Sequence, residues 1–243
     1  MKAFRWYLFA TVFAAFVVSC GDSSSKSSQK EGTTLSMKAD MSIPLAKSAA
    51  GDTVILDSAK VLLKRMKFES TTDEDSADFK IGPFIVRIDL TGGVTNITTS
   101  KIPNGTYDKI KFKIHKPEDD EDIADPDFKT GTSDDERFSI VVFGKYNNVP
   151  FVYKSKKDVE QKLDINPPLV VSDSTTSTNA TLLVTPAVWF LKDGQYLNPN
   201  AESDRDDIDD NIKKSFKKVF KDNDHDGDEH DDDDDHDDDH GND

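Results

Sequence analysis

Cysteine is nearly absent from this 243-residue chain, which contains one, Cys20. A single thiol excludes an internal disulfide, so the fold must be stabilised by packing or by a metal. The chain also lacks a glycine-rich phosphate loop, and no nucleophile motif surrounds His115, the one histidine before the C-terminal segment. We therefore expect a protein that is not an enzyme and has no organic cofactor. A hydrolase with a carboxylate pair in a cleft stays open, because such pairs form in space rather than in sequence.

The N-terminal 19 residues are typical of a signal peptide. Basic residues open the segment, positions 6–18 are apolar and uncharged, and a small residue precedes Cys20. The apolar part is shorter than the roughly 20 residues that span a bilayer. The run Val17-Val18-Ser19-Cys20 resembles the lipobox of bacterial lipoproteins. That resemblance implies cleavage after residue 19 and a lipid on Cys20.

The next segment, residues 20–32, is rich in serine and lysine and has no large apolar side chain. Such a composition cannot repay the entropy of ordering, so we expect a flexible tether between a lipid anchor and the folded body. The lipobox resemblance implies a place in the bacterial cell envelope, with the membrane as a partner. Gly21, in place of aspartate after the cysteine, favours the outer over the inner membrane.

The net charge of −16 is concentrated at the C-terminus. Residues 222–243 hold 14 acidic residues and no lysine or arginine, and the rest of the chain is nearly balanced. This distribution argues against nucleic acid as a partner, because the tail would repel phosphates. It favours divalent cations as partners.

Residues 33–199 have the pattern of an all-β domain. Short apolar runs rich in β-branched residues alternate with turn residues such as Gly92-Gly93 and Asn147-Asn148. We predict seven to nine strands, and a bend near Ser58 in the long strand that starts at Thr53. Because no helical pattern lies between the strands, the expected fold is a two-layer β-sandwich or an open barrel.

Two stretches of this domain carry a family resemblance. Val86-Arg87-Ile88-Asp89-Leu90, followed by the run Pro103–Phe112, is similar to an uncharacterised family of β-rich domains found in bacterial lipoproteins. The similarity would span about Lys38 to Asn198. It implies the β-rich fold and the envelope location, and it supplies no site residue.

Residues 200–221 predict an amphipathic helix, because apolar residues recur at steps of three and four between Ile208 and Phe220. Aspartates at its start and lysines at its end match the helix dipole. We expect the apolar face to pack on the β domain. A disordered acidic tail, rich in aspartate and histidine, is predicted for residues 222–243.

The tail begins with the spacing of a calcium-binding loop. Aspartates at alternating positions followed by a glycine let a tight turn aim several carboxylates at one ion. Position 8 is Glu229 rather than an apolar residue, position 12 is aspartate rather than glutamate, and no second helix follows. We therefore expect affinity of about 10⁻⁴ to 10⁻³ M for Ca²⁺. The candidate ligands are Asp222, Asp224, Asp226, Asp228 and Asp233.

Histidines extend the list of candidate metal ligands. Imidazole suits Zn²⁺ or another transition metal, whereas the carboxylates suit Ca²⁺. A solvated tail that binds no metal is equally consistent with this composition. The histidines are His225, His230, His236 and His240.

A second acidic stretch, Pro117 to Arg137, connects two predicted strands. It is long for a connection in a compact domain, so it is either a binding loop or a flexible insertion. We expect the flexible insertion, because such acidic loops rarely become ordered without a bound cation.

Two functions follow from these observations. The first is a non-enzymatic, lipid-anchored envelope protein whose C-terminal segment binds calcium or another divalent metal. The alternative is a surface module that binds a carbohydrate or a protein, with a tail that only keeps it soluble.

Overall fold

The computed structural model of the protein describes residues 32–41, 51–70, 79–174 and 177–229. The predicted signal peptide, Cys20 and the chain from residue 230 onward lie outside these residues. Within the described part of the chain, no helix is long and apolar enough to cross a membrane.

Strands dominate the described residues, and one α-helix, α1, lies near the C-terminus. The helix spans Arg205–Lys214. The strands are β1 (Gly32–Ala39), β2 (Val54–Ser70), β3 (Phe79–Ile81), β4 (Phe84–Ile88), β5 (Val94–Ser100), β6 (Gly105–Ile114), β7 (Ile140–Tyr146), β8 (Val149–Ser155), β9 (Val159–Val171), β10 (Ser177–Val184), β11 (Leu191–Lys192), β12 (Gln195–Tyr196) and β13 (Phe216–Lys221).

Eleven of these strands form one mixed sheet, in the order β5-β1-β10-β13-β9-β6-β2-β7-β8 with β3 and β4 attached to β2. The sheet curls into a half-barrel. Most neighbours are antiparallel, but β1 pairs with β10 in parallel and β13 pairs with β9 in parallel. The predicted all-β class is therefore confirmed, and the single curled sheet corresponds to the open-barrel form of that prediction.

The 17-residue β2 is the axis of the sheet. One of its edges pairs with β6 through residues 63–70 and then with β7 through residues 54–61. Its other edge pairs with β3 and β4. The register against β7 shifts between Leu56 and Ser58, where the sequence predicts a bend.

The inner face of the curled sheet forms the main hydrophobic core. Alternate residues of β1, such as Leu35 and Met37, point into it, and Ile208 and Ile212 of α1 pack on the same cluster. The helix therefore docks on the β domain through its apolar face, as its periodicity predicts.

The helix is shorter than the predicted range of 200–221. It ends at Lys214, and residues 216–221 form β13, a strand inserted between β10 and β9. The Ser215 hydroxyl donates to the Ile212 carbonyl at 2.7 Å and accepts from Trp189 Nε1 at 2.7 Å, which fixes the end of the helix. The apolar residues of 216–221 fit a helical period, but the segment forms a strand. It does so because it pairs with two neighbouring strands and buries Phe216 in the core.

The acidic connection between β6 and β7 is ordered, contrary to the expectation of a flexible insertion. The Leu62 carbonyl accepts from the His115 N–H, and the Leu62 N–H donates to the Ser139 carbonyl, so residues 115–139 leave and rejoin the sheet at one residue of β2. We call this segment the strap. Phe128 anchors it in a second, smaller apolar cluster with Leu62 and Val141.

Ion pairs compensate part of the charge of the strap. The buried Lys60 Nζ lies 2.7 Å from Asp125 Oδ2 and also contacts Asp127. Its ammonium is 5.7 Å from the ring centroids of Phe128 and Phe143. These contacts supply the order that the acidic composition alone does not predict.

Candidate metal centre

The segment that follows β13 folds back over the outer face of the sheet. Asp222 continues the line of β13, and its N–H donates to the Asn179 carbonyl of β10 at 3.1 Å. Residues 222–229, predicted as the start of a disordered tail, therefore lie on the sheet. We call them the terminal loop.

Beneath the terminal loop is a buried network of polar side chains. The Ser36 hydroxyl donates to Asn179 Oδ1 at 3.1 Å, and Asn179 Nδ2 donates to Asp222 Oδ2 at 3.2 Å. The Thr181 hydroxyl donates to the same oxygen at 2.5 Å. The network thus orients the Asp222 carboxylate through one of its two oxygens.

The other oxygen of Asp222, Oδ1, is buried. Asp222 is 0 % exposed, and its Oδ1 has no hydrogen-bond partner within the described parts of the chain. Burial raises the pKa of the Asp222 carboxyl, and the charge of Asp224 adds to that rise. The Thr181 hydroxyl and the nearby Gly227 N–H act in the opposite direction, although that N–H makes no hydrogen bond of ordinary geometry to Oδ1. A buried carboxylate without a counter-charge is costly unless a cation neutralises it.

Two further carboxylates lie beside this oxygen. Asp222, Asp224 and Asp226 each offer a carboxylate oxygen, and the three oxygens lie within 4.8 Å of one another. The Asp226 N–H donates to Asp224 Oδ1 at 3.4 Å, and the Asp228 N–H donates to Asp226 Oδ1 at 2.6 Å. These turns fold the chain around a small volume that is buried on the Asp222 side and open to solvent on the other.

Gly227 is required at the tightest point of the loop. Its φ is +78°, in the left-handed region that favours glycine. A Cβ there would lie 2.7 Å from Val94 Cγ2 and would also overlap the Lys38 side chain. Both the backbone conformation and the close approach to β1 and β5 therefore exclude a side chain.

Lys38 of β1 holds the end of the loop. Its Nζ donates to the Asp226 carbonyl at 3.3 Å and to Asp228 Oδ1 at 3.0 Å. The Asp228 side chain is therefore directed to Lys38, whereas its N–H donates to Asp226 Oδ1.

The candidate ligands of the sequence are thus divided. The structure brings Asp222, Asp224 and Asp226 together, whereas neither Asp228 nor His225 belongs to the group of close ligand atoms among the described residues. The remaining candidates, Cys20, Asp233, His230, His236 and His240, lie outside the described residues.

The sequence pattern does not predict the residues of the polar network that orients Asp222. Thr34, Ser36 and Lys38 alternate with apolar residues in β1, which predicts only that they lie on the outer face. Ser36 and Thr181 are nevertheless buried on that face, because the terminal loop covers it. A local sequence pattern does not predict that a segment distant in the sequence will cover this face of the sheet.

Comparison with protein-family models, with curated proteins and with solved structures finds no match in any of the three. The resemblance of the β domain to a lipoprotein family therefore stays a prediction.

Proposed function

We propose that this protein is a lipid-anchored protein of the bacterial cell envelope that binds a divalent cation, preferably Ca²⁺, and does not catalyse a reaction. Asp222, Asp224 and Asp226 would supply the carboxylate ligands. The single observation that carries the proposal is the buried Asp222 Oδ1, which has no partner among the described residues and lies beside two other carboxylates.

The donor set favours calcium over zinc. Ca²⁺ takes six to eight oxygens in a flexible shell, and a loop of three carboxylates with backbone carbonyls and water meets that need. Zinc sites prefer nitrogen and sulfur ligands, and His225 is not in the group. Since two of the three carboxylates are exposed, we expect a dissociation constant of about 10⁻⁴ to 10⁻³ M.

Support for the anchor comes from the sequence alone. A charged start, a short apolar segment and the Val-Val-Ser-Cys run precede a tether that ends where β1 begins. Labelled palmitate in the expressing bacterium tests this proposal. We expect incorporation into the wild type and none into Cys20→Ser, and equal labelling of both would contradict it.

Isothermal titration tests the cation site. The mature chain is titrated with Ca²⁺ and with Zn²⁺, beside Asp222→Asn and a control, Asp57→Asn, which alters an exposed aspartate on β2. We expect saturable Ca²⁺ binding in the wild type and the control and a loss of at least about tenfold in Asp222→Asn. Equal binding by Asp222→Asn and the wild type, or no binding by any, would contradict the proposal.

A second candidate is the binding of a small polar ligand such as a saccharide. A cavity of about 320 Å³ opens where β1 begins, with Lys101, Asn104 and Asp173 on its wall. The buried Thr33 hydroxyl lines it and has no hydrogen-bond partner among the described residues. Glycan binding by a chain that ends at Glu229, lost in Thr33→Val, would support this function.

A further inference from the structure

A β-bulge in β2 gathers three basic side chains on the outer face of the sheet. Leu63 pairs with Ile114, and the next pair is Arg65 with Lys113, so Lys64 is an extra residue on β2. A bulge of this kind re-aims the side chains of the bulged strand. Lys64 and Arg65 of β2 therefore line the same cavity as Lys113 of β6.

The three cations surround a cavity of about 320 Å³. Its remaining lining comes from Ile81 and Gly82, where the chain passes from β3 to β4. Gly82 has a φ of +129°, and a Cβ there would lie 2.6 Å from the Lys64 carbonyl oxygen, so this wall is backbone packed against the bulge. Among the described residues, no carboxylate lines the cavity.

Acidic residues outside the described lining of the cavity partly neutralise its three cations. Lys64 contacts Glu118, and Lys113 lies 3.7 Å from Asp158, beyond hydrogen-bond distance. Arg65 is exposed and makes no hydrogen bond or close ion pair with a described residue, although the charge of Glu160, which lies opposite Lys113 on β9, acts on it at longer range.

His115 also contacts both of these carboxylates. Its Nε2 lies 3.0 Å from Glu118 Oε1, and its Nδ1 lies 3.0 Å from Asp158 Oδ1. Each carboxylate is thus shared between the buried histidine and one lysine. The described lining of the cavity itself holds three basic side chains, and these carboxylates lie outside it.

We propose that this cavity binds the phosphate group of a phosphomonoester. The exposed guanidinium of an arginine presents a planar fork that matches a phosphate, and two lysines beside it add point charges. The cavity holds one such group, with Ile81 providing an apolar wall for the attached carbon chain. The donor is either a soluble phosphate compound or a lipid headgroup, and both present the same oxyanion.

This site is separate from the proposed cation site. The cavity is formed by β2, β3 and β6, whereas the terminal loop lies over β13, β10 and β1. Either proposal can therefore fail without the other.

The test uses the mature full chain with Cys20→Ser, so that an acyl chain cannot mediate binding. One arm titrates inorganic phosphate at constant ionic strength and follows amide shifts by NMR. The second arm measures cosedimentation with phosphatidylcholine vesicles that contain or lack phosphatidic acid. Each arm compares the parent, the double variant Arg65→Gln/Lys113→Gln and a control, Lys145→Gln, which alters an exposed lysine of β7.

We expect saturable binding of phosphate, of the acidic vesicles or of both. Binding should be unchanged in Lys145→Gln and at least about tenfold weaker in the double variant, because two charge-assisted hydrogen bonds are lost. Binding of free phosphate identifies a soluble ligand, and binding of acidic vesicles alone identifies a headgroup. If the double variant does not fold, Arg65→Gln alone replaces it, because this exposed side chain makes no hydrogen bond or close ion pair with a described residue. Absence of saturable binding in both arms, or equal binding by the variant, overturns the proposal.

Discussion

Lys38 and Asp228 form an ion pair of 3.0 Å although they are 190 residues apart in the chain. Lys38 lies on β1, the first strand of the sheet, and Asp228 lies near the end of the terminal loop. The contact fastens the C-terminal segment to the strand that follows the predicted tether. The three clustered aspartates are therefore part of the folded body, and their arrangement depends on the sheet beneath them.

Gly227→Ala should reduce calcium affinity by at least about tenfold. The substitution forces a side chain into a left-handed conformation, a cost of order 1–3 kcal/mol, and pushes the loop from Lys38 and Val94. Gly194→Ala is the matched control, because its φ is also positive but open space surrounds it. Calorimetric titration of both variants checks this expectation. An affinity loss of equal size in both would contradict the role of the loop geometry.

Lys60→Met should destabilise the protein by about 3 kcal/mol, because it leaves the buried Asp125 carboxylate without its principal counter-charge. The strap should also lose protection from hydrogen exchange. Lys156→Met, which removes an exposed lysine paired with Asp135, should cost less than about 1 kcal/mol. Urea unfolding measures both values. A cost of under about 1 kcal/mol for Lys60→Met would show that the strap does not depend on this ion pair.

The stability of the strap should fall in acid. Burial alone would raise the pKa of Asp125. The Lys60 ammonium, the Asp127 N–H and the charge of Arg87 together more than offset this effect, so the pKa lies below its ordinary value. The ionised carboxylate therefore stabilises the fold above the unfolded pKa of about 3.9, and this contribution is lost as the pH falls through the folded pKa.

Unfolding free energies at pH 6 and at about pH 3 check this sign. Between these two values the wild type should lose more stability than Asp125→Asn, because the amide does not titrate. An equal loss in both proteins would exclude this group as a source of the acid sensitivity.

The sequence predicts the class of fold well where the pattern is local. Leu35 and Met37 alternate with polar residues in β1, and the two asparagines at 147 and 148 adopt the positive φ angles that a tight hairpin needs. The helix is overextended in the prediction, because Phe216 and Val219 fit a helical period but pair as a strand with segments far away in sequence. The partners of β13 are not visible in its own residues.

The candidate site is predictable only in part. Alternating aspartates before Gly227 identify the turn, since the spacing itself encodes the conformation. The burial of Asp222 and its contacts with Asn179 and Thr181 depend on how the loop meets β10, which no local pattern encodes. The same holds for the bulge at Lys64, where a pairing with β6 decides which basic residues face one another.

Amide chemical shifts of the labelled mature chain during a Ca²⁺ titration test the central proposal most directly. The account predicts saturable shifts at residues 222–228 and at Asn179 and Thr181, with the same response in a chain that ends at Glu229. Shifts confined to residues 230–243, or no saturable shift in the terminal loop, would contradict it.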